Sequence, residues 1–240
     1  MKRMGKIKKS YDDLIEAFGP QGWWPIVNNE TLLCEYHVNS PKSESEALEI
    51  CFGSILAQNT SWKNAEKAII NLKKNNILGV KKIISAENKK LSEIIKSSGY
   101  HNQKTKKLKN FCEFLLKNHN GRLDLLFNKR IDEIRKELLS VNGIGPETAD
   151  SIILYAARKP IFVIDSYTKR ILGRIGYGIK EYAEFQELFM QSLPNNERLF
   201  NEYHALLVTL AKNVCRKKPL CEKCPLNKYC VYFYKQKWKS

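Results

Sequence analysis

The stretch LLSVNGIGPETADSIILYA, residues 138 to 156, decides the fold. An apolar helix is expected to end at Leu139, and a second helix to begin near Pro146, because proline suits the first turn of a helix. Between them, Gly143 and Gly145 permit positive φ angles and a close backbone approach. The exposed amides of such a turn can bind a phosphate oxygen without reading base sequence. We therefore predict a helix-hairpin-helix rather than an ordinary connection in a bundle.

Outside the hairpin, apolar residues recur at spacings of three and four over most of the chain, which is typical of helices. The β-branched run IFVI at 161–164 is the only clear strand signal. Residues 26 to 43, rich in Asn and Ser, indicate a surface insertion before the first core helix. The chain is predicted to be all-α, with helices at 46–57, 62–73, 105–117, 131–139, 147–157, 165–175, 182–192 and 200–213.

The charge balance indicates a polyanionic partner. The chain of 240 residues has 41 Lys and Arg against 25 Asp and Glu, a net charge of +16. Binding to nucleic acid releases counterions from neutralised phosphates, so this excess favours nucleic acid over a membrane surface. No run approaches the ~18 apolar residues of a membrane span, and the charged N-terminus lacks the apolar run of a secretory signal. We expect a cytoplasmic protein that binds nucleic acid.

Four cysteines near the C-terminus read C-x5-C-x2-C-x5-C. In a reducing compartment such a cluster favours metal ligation over disulfides. Thiolates suit zinc or an iron–sulfur cluster, and the spacing alone leaves both open. The other three cysteines, Cys34, Cys51 and Cys112, are expected to be small buried hydrophobes. The predicted metal ligands are Cys215, Cys221, Cys224 and Cys230.

The order of the motifs resembles the endonuclease III superfamily of DNA glycosylases. The matching segments are ILAQNTSW (55–62), SSGYHNQK (97–104), GIGPETAD (143–150), VIDSYTKR (163–170), YHALLVTLAKNVC (203–215) and the cysteine loop. The resemblance implies a [4Fe–4S] cluster in loop 215–230, although the family loop has six residues between the first two ligands and this chain has five. It also implies a monomer with two domains: 45–158, carrying the hairpin, and 1–44 plus 159–240, carrying the cluster.

The resemblance also assigns roles to single residues. Asp165 matches the catalytic aspartate, although an Asp at a helix start is in isolation an N-cap. Gln58 matches a residue that fills the gap left by a flipped nucleotide, and Tyr100 a wedge beside the lesion; in isolation, Gln58 and Asn102 are also explained as helix-end hydrogen bonders. The implied contacts with damaged double-stranded DNA are Gln58, Tyr100, Asn102, Gly143, Gly145 and Thr148.

Two features of the sequence indicate which reaction is catalysed and on which base. Glu147 stands where bifunctional members place the lysine that forms a Schiff base, so we expect base removal without AP lyase activity; Lys169 is a substitute that no motif supports. The segment GPQGWWP (19–25) resembles the methylpurine glycosylase branch, in which aromatic rings at positions matching Trp23 and Trp62 sandwich the base, with Trp24 beside them; as residue types alone, these tryptophans are core or interface anchors. The predicted base pocket is Trp23, Trp24, Trp62 and Glu147.

The leading hypothesis is therefore a monofunctional alkylpurine DNA glycosylase. The alternatives are a glycosylase for mismatched thymine or uracil, a bifunctional enzyme for oxidised pyrimidines, and a non-catalytic iron–sulfur module that binds DNA.

Overall fold

A computed structural model describes residues 3–36, 39 and 41–237. Two short strands, β1 (Ile26–Val27) and β2 (Cys34–Glu35), accompany the helices. The helices are α1 (Arg3–Phe18), α2 (Glu44–Leu56), α3 (Trp62–Lys74), α4 (Val80–Ser85), α5 (Asn88–Ile94), α6 (His101–His119), α7 (Leu123–Phe127), α8 (Ile131–Leu139), α9 (Pro146–Ser151), α10 (Ser166–Ile175), α11 (Tyr182–Ser192), α12 (Glu197–Asn213) and α13 (Val231–Lys237).

The all-α prediction is confirmed. Each predicted helix is present, and the one predicted at 147–157 continues from α9 into the π-helical stretch Ile152–Ala156. The sequence patterns did not identify the lysine-rich α1, the short helices α4, α5 and α7, or α13. The run at 161–164 is buried and lies in no strand. Its Phe162 instead stacks on Phe189, with ring centroids 3.8 Å apart.

The chain forms two compact units, one of residues 1–23 and 160–240 and the other of residues 24–159. The predicted division instead placed residues 24–44 with the chain ends. They group with the second unit because β1 lies against α2 and α3. The buried carboxylate of Glu49 in α2 accepts the backbone N–H of Val27 at 2.7 Å and pairs with Lys73 of α3 at 2.6 Å.

The segment 26–43, predicted as a surface insertion, is in part a β-hairpin. Strands β1 and β2 pair antiparallel, with Ile26 opposite Glu35 and Val27 opposite Cys34. Ile26 and Val27 are buried, so the prediction is wrong for these two core residues. Leu33 in the turn is exposed, as an insertion would be, and residues 37, 38 and 40 lie outside the described residues.

The glycine hairpin forms as the sequence predicts. Gly143 has a φ of 98°, in the left-handed region, and a Cβ built there would lie 2.4 Å from Cγ of Lys107 in α6. Gly145 has a φ of −97° and serves as the N-cap of α9, so only Gly143 requires glycine for its backbone angle. Behind the turn, Arg135 of α8 donates two hydrogen bonds to the buried carboxylate of Asp150 in α9. This ion pair ties the two hairpin helices together.

The unit built from the chain ends has an aromatic core. Tyr203 of α12 lies edge-on to both Phe162 and Phe189, and its hydroxyl donates to the Ile7 carbonyl of α1 at 2.8 Å. This buried bond anchors the first helix to the last long one. Within the described part of the chain, no helix combines the length and apolar character that crossing a bilayer requires.

Candidate functional site

Gln58, just after the C-terminus of α2, connects to the hairpin. Its side-chain amide donates to the Gly143 carbonyl at 3.1 Å and to the Thr148 hydroxyl at 2.9 Å. Its side-chain carbonyl accepts from the ammonium of Lys107. Thr148 is only 7% exposed, so in the free protein it supports Gln58 and does not present its hydroxyl to solvent. The structure thus brings three of the predicted DNA contacts into one hydrogen-bonded group.

Tyr100 and Asn102 lie at the start of α6. Tyr100 has a φ of 47°, which is strained for a non-glycine residue, and its side chain is 64% exposed. Strained residues cluster at functional sites. The exposed Tyr100 ring on this turn is consistent with the predicted wedge that enters DNA. Asn102 accepts the Ser92 hydroxyl of α5 at 2.6 Å, so its carbonyl is engaged within the protein.

Two of the tryptophans predicted for the base pocket lie in contact in the second unit. Trp24 lies edge-on to Trp62, with centroids 5.0 Å apart and planes at 82°, and at 5.1 Å from Tyr155. A Cβ at Gly53 of α2 would lie 2.9 Å from the Trp24 ring, so only glycine leaves room for that indole. Trp23 is half-buried and belongs to the other unit.

Two further aromatic residues of this cluster were missed by the sequence analysis. Tyr155 lies in the π-helical stretch, where its apolar neighbours suggest only core packing. Tyr36 follows β2 and lies beside Trp62, while burial raises the pKa of the Tyr36 phenol. Neither residue shows a pattern in sequence, because their proximity to Trp24 and Trp62 arises only on folding.

Asp165 is the N-cap of α10. One carboxylate oxygen, Oδ1, accepts the backbone N–H of Thr168 at 2.7 Å. The other, Oδ2, lies 3.8 Å from Nε2 of His204 in α12. The predicted cap and the predicted catalytic role are therefore compatible, since each uses a different oxygen.

His204 is the residue next to Asp165 that the sequence analysis did not single out. Burial lowers the pKa of His204, and the charge of Asp165 only partly opposes this. Burial thus favours the neutral imidazole over a charged pair with Asp165. Lys169, the suggested alternative amine, lies over the Tyr182 ring at 5.6 Å from its centroid.

Glu147 lies in the first turn of α9 and is exposed. A carboxylate there benefits from the positive helix end, and it adds negative charge beside the hairpin. It belongs to the same helix as Thr148, which binds Gln58. The residue predicted to determine the reaction type is therefore accessible from solvent.

The four cysteines of loop 215–230 line one small cavity. All four are free thiols. Burial raises the pKa of the Cys224 thiol to about 11, and the charges of the other three cysteines act on it in the same direction, so the four groups lie close together. No three of the described His, Cys, Asp and Glu side chains are arranged to hold a single ion. As a donor set, four thiols around one cavity fit a thiolate-ligated centre.

The loop is positioned by α10. Arg174 donates to the sulfur of Cys215 at 3.2 Å and to the carbonyls of Arg216 and Lys217 at 2.6 and 3.1 Å. Arg170 donates to the Cys215 carbonyl at 3.1 Å. Two arginines of the helix capped by Asp165 therefore organise the segment between the first two cysteines, which is the shortened part of the loop.

Comparisons with known proteins agree with this architecture. Residues 52–195 match the model of the HhH-GPD superfamily of base excision DNA repair proteins. The chain is 41% identical over 229 residues to the "Putative DNA repair glycosylase MJ1434" of Methanocaldococcus jannaschii, covering 94% of this chain and 96% of that protein. It is 30% identical to the endonuclease III of Sulfolobus acidocaldarius, covering 75% and 79% of the two chains.

Solved structures give the same result. The 3-methyladenine DNA glycosylase MagIII of H. pylori, bound to 1,N6-ethenoadenine, is 28% identical and superimposes with a TM-score of 0.69, covering 88% of this chain and 98% of that one. An endonuclease III–DNA complex, 19% identical, has a TM-score of 0.77 over 99% and 100% of the chains, which shows the fold alone. The chain therefore belongs to the HhH-GPD superfamily of base excision DNA repair proteins, as a DNA glycosylase similar to the 3-methyladenine glycosylase III branch.

Proposed function

We propose that the protein is a monofunctional DNA glycosylase that acts as a monomer and removes alkylated purines, such as 3-methyladenine, from double-stranded DNA. The observation that carries the proposal is the aromatic cluster in which the half-buried Trp62 lies edge-on to Trp24, while Trp24 lies against Tyr155 and fills the space beside Gly53. Alkylation at N3 or N7 makes a purine cationic, and indole faces attract cations. The similarity to MagIII, a 3-methyladenine glycosylase, supports the same substrate class.

Asp165 is proposed to stabilise the transition state. The bond between C1′ and the base nitrogen breaks, and its electron pair neutralises the positive charge of the purine. Because the base is already a good leaving group, the reaction needs no strong general acid. The carboxylate of Asp165 stabilises the oxocarbenium charge that develops on the sugar. Water adds to C1′ and loses a proton to the solvent, which leaves an abasic site.

The monofunctional assignment is supported by Glu147. Cleavage of the DNA strand by a lyase mechanism requires an amine that attacks C1′ and forms a Schiff base. A carboxylate cannot form this adduct, and Lys169 lies over the Tyr182 ring. In the proposed reaction water is the nucleophile, and the abasic strand is left intact.

The residues proposed to contact DNA are Gln58, Tyr100, Asn102, Gly143, Gly145 and Thr148. The hairpin amides bind the backbone phosphate, which positions the duplex without reading its sequence. Gln58 and Tyr100 occupy the space left when the damaged nucleotide is flipped out of the stack. Thr148 acts through its hydrogen bond with Gln58.

The cysteine loop is proposed to hold a [4Fe–4S] cluster through Cys215, Cys221, Cys224 and Cys230. When bound, such a cluster cross-links the loop and takes no part in the hydrolysis. The chain's own contribution is the set of hydrogen bonds from Arg174, which fix the loop backbone at Arg216 and Lys217. The lysines of the loop then present positive charge to the DNA phosphates.

A panel of lesion-containing duplexes tests the function. Duplexes with 3-methyladenine should release the base and show strand breaks only after alkali treatment, because no lyase step occurs. Borohydride should trap no covalent adduct of the wild-type protein with DNA, whereas Glu147→Lys restores an amine at this position and is expected to give some trapping. Trapping of the wild type, or release of oxidised pyrimidines in place of alkylated purines, would contradict the proposal.

The Asp165→Asn substitution removes the negative charge of the side chain but can keep its N-cap hydrogen bond. Asparagine is an equally good N-cap, so thermal stability should change little. Loss of the negative charge should slow excision by roughly 10²–10³-fold, the usual effect of removing one electrostatic group from a transition state. Single-turnover kinetics and binding to DNA with a tetrahydrofuran site are the measurements, and the exposed Asp12→Asn is the matched control. Unchanged excision by Asp165→Asn would exclude this residue.

Gly53→Ala tests the aromatic pocket. Alanine favours a helix interior by about 0.5–1 kcal/mol over glycine, but the added methyl would lie 2.9 Å from the Trp24 ring and must displace it. Excision of 3-methyladenine should fall, because a stacking contact contributes ~1–3 kcal/mol per base. Gly173→Ala, a helix position with open space around its Cβ, is the control. If Gly53→Ala shifts the tryptophan fluorescence but keeps full activity, Trp24 takes no part in base binding.

Cys221→Ser tests the cluster. In protein purified without oxygen, the wild type should contain iron and acid-labile sulfide and show visible absorbance, and Cys221→Ser should lose them. The half-buried Cys34→Ser is the matched control, because Cys34 lies in β2 and not in the loop. Zinc in place of iron and sulfide in the wild-type protein would refute the cluster assignment.

A further inference from the structure

Lys104 is a buried cation in the second turn of α6. Only 2% of the residue is exposed. Its ammonium donates to the Leu56 carbonyl at 2.8 Å and to the Ser98 carbonyl at 2.7 Å. Lysine is almost never fully buried unless it is paired with a charge. Within the described residues Lys104 has no carboxylate partner, and both of its polar contacts are backbone carbonyls.

The two carbonyls belong to the two segments that carry the proposed DNA-inserting residues. Leu56 is the last residue of α2 and precedes Gln58 by two positions. Ser98 ends the 3-10 turn Lys96–Ser98 and precedes Tyr100 by two positions. One ammonium therefore links the backbone before Gln58 to the backbone before Tyr100.

The neighbouring segment is held by a second lysine of the same helix. Lys107, one turn beyond Lys104, donates to the Gln58 side chain and packs against Gly143 of the hairpin. Gln58 is thus fixed on the hairpin side without Lys104. Before Tyr100, the Ser97 hydroxyl donates to the Asn64 carbonyl of α3 at 3.1 Å, a neutral bond. Beyond it the Tyr100 ring is exposed, and Gly99 has a φ of 68° with open space around its Cβ.

We propose that Lys104 is a positioning residue that holds the Tyr100 segment at a fixed place relative to Gln58, so that both side chains enter the duplex together. The inference rests on the proposed DNA-facing roles of Tyr100 and Gln58. Its physical basis is that a charge-assisted bond to a carbonyl is roughly twice as strong as a neutral one. Displacement of a positioned group by about 1 Å can cost 10²-fold in rate.

The charge on Lys104 responds to pH. Burial, with a smaller effect of the nearby charge of Lys107, lowers the pKa of Lys104 to about 8. The elements packed around it, α2 and the 3-10 turn, present carbonyls to it, and His101, one turn earlier in α6, hydrogen-bonds Ser92 instead. As the pH rises through this pKa, the ammonium loses its charge and the tether weakens.

Loss of this charge does not by itself destabilise the folded state. The pKa of Lys104 is lower in the folded than in the unfolded chain, so the unfolded chain binds more protons between the two values. The contribution of Lys104 to the free energy of unfolding therefore rises with pH in this window. A change in DNA binding in this pH range therefore reflects the hydrogen bonds of Lys104 and not denaturation.

The experiment uses a duplex with a tetrahydrofuran site opposite 2-aminopurine, whose fluorescence rises when the base is unstacked. The proteins are the wild type, Tyr100→Ala, Lys104→Met and the control Lys106→Met, an exposed lysine on the same helix. At about pH 7, where Lys104 is charged, Lys104→Met should lose the fluorescence rise and Lys106→Met should keep it. The wild-type rise should also decline towards about pH 9, and this decline should be absent from Lys104→Met.

The wild-type pH profile tests the inference even if Lys104→Met fails to fold. If Tyr100→Ala loses the rise while folded Lys104→Met keeps it with the wild-type pH profile, the positioning role is refuted and the wedge stands. If Tyr100→Ala keeps the fluorescence rise, Tyr100 does not insert into the duplex. The positioning role of Lys104, which rests on that insertion, is then refuted as well. A wild-type rise that is constant from about pH 7 to 9 also contradicts the tether.

Discussion

The second unit depends on the complete burial of α2, whose residues from Ala47 to Leu56 are all buried. A helix enclosed on every side requires partners in every direction, and α3, α6, α7, β1 and the π-helical stretch supply them. Only small or apolar side chains fit, apart from Glu49, whose charge is matched by Lys73. Because the helix is fixed in this way, its C-terminal end is a rigid support for Gln58 and the Leu56 carbonyl.

The close packing around α2 also explains where glycine is needed. Gly53 leaves the space occupied by the Trp24 indole, and Gly143 lies against the Lys107 side chain. At both positions the absence of a side chain lets another residue's side chain approach the backbone closely. The two contacts have different origins, since Gly143 also needs its positive φ whereas Gly53 lies in an ordinary helix.

Features encoded over a few residues could be predicted from sequence. The hairpin was recognised because Gly143, Gly145 and Pro146 act locally on the backbone, and the long helices were recognised by their apolar period. The lysine-rich α1 was missed because its apolar residues, such as Ile7 and Leu14, are diluted by charge. The strands β1 and β2 have two residues each, too few to show any alternation.

The candidate site was less predictable because its contacts join distant parts of the chain. Tyr36 and Tyr155 reach the tryptophans only after folding, and nothing in sequence connects His204 with Asp165. Thr148 was predicted to contact DNA from its place in the hairpin, but its burial and its bond with Gln58 follow from the packing of α2. The types and order of the residues indicate which chemical groups the site contains. The tertiary contacts determine which side chains hold the others in place.

Helix α10 connects the proposed catalytic group with the cysteine loop through its two ends. Asp165 caps its N-terminus, and Arg170 and Arg174 in its later turns donate to the backbone of the loop. A helix transmits a rigid-body constraint along its length, since its backbone bonds hold every turn in register. The loop therefore restricts the direction in which α10 points, and with it the position of the Asp165 carboxylate. Because the guanidinium groups bind backbone carbonyls and not only a sulfur, this restraint depends on the path of the loop backbone between Cys215 and Cys221.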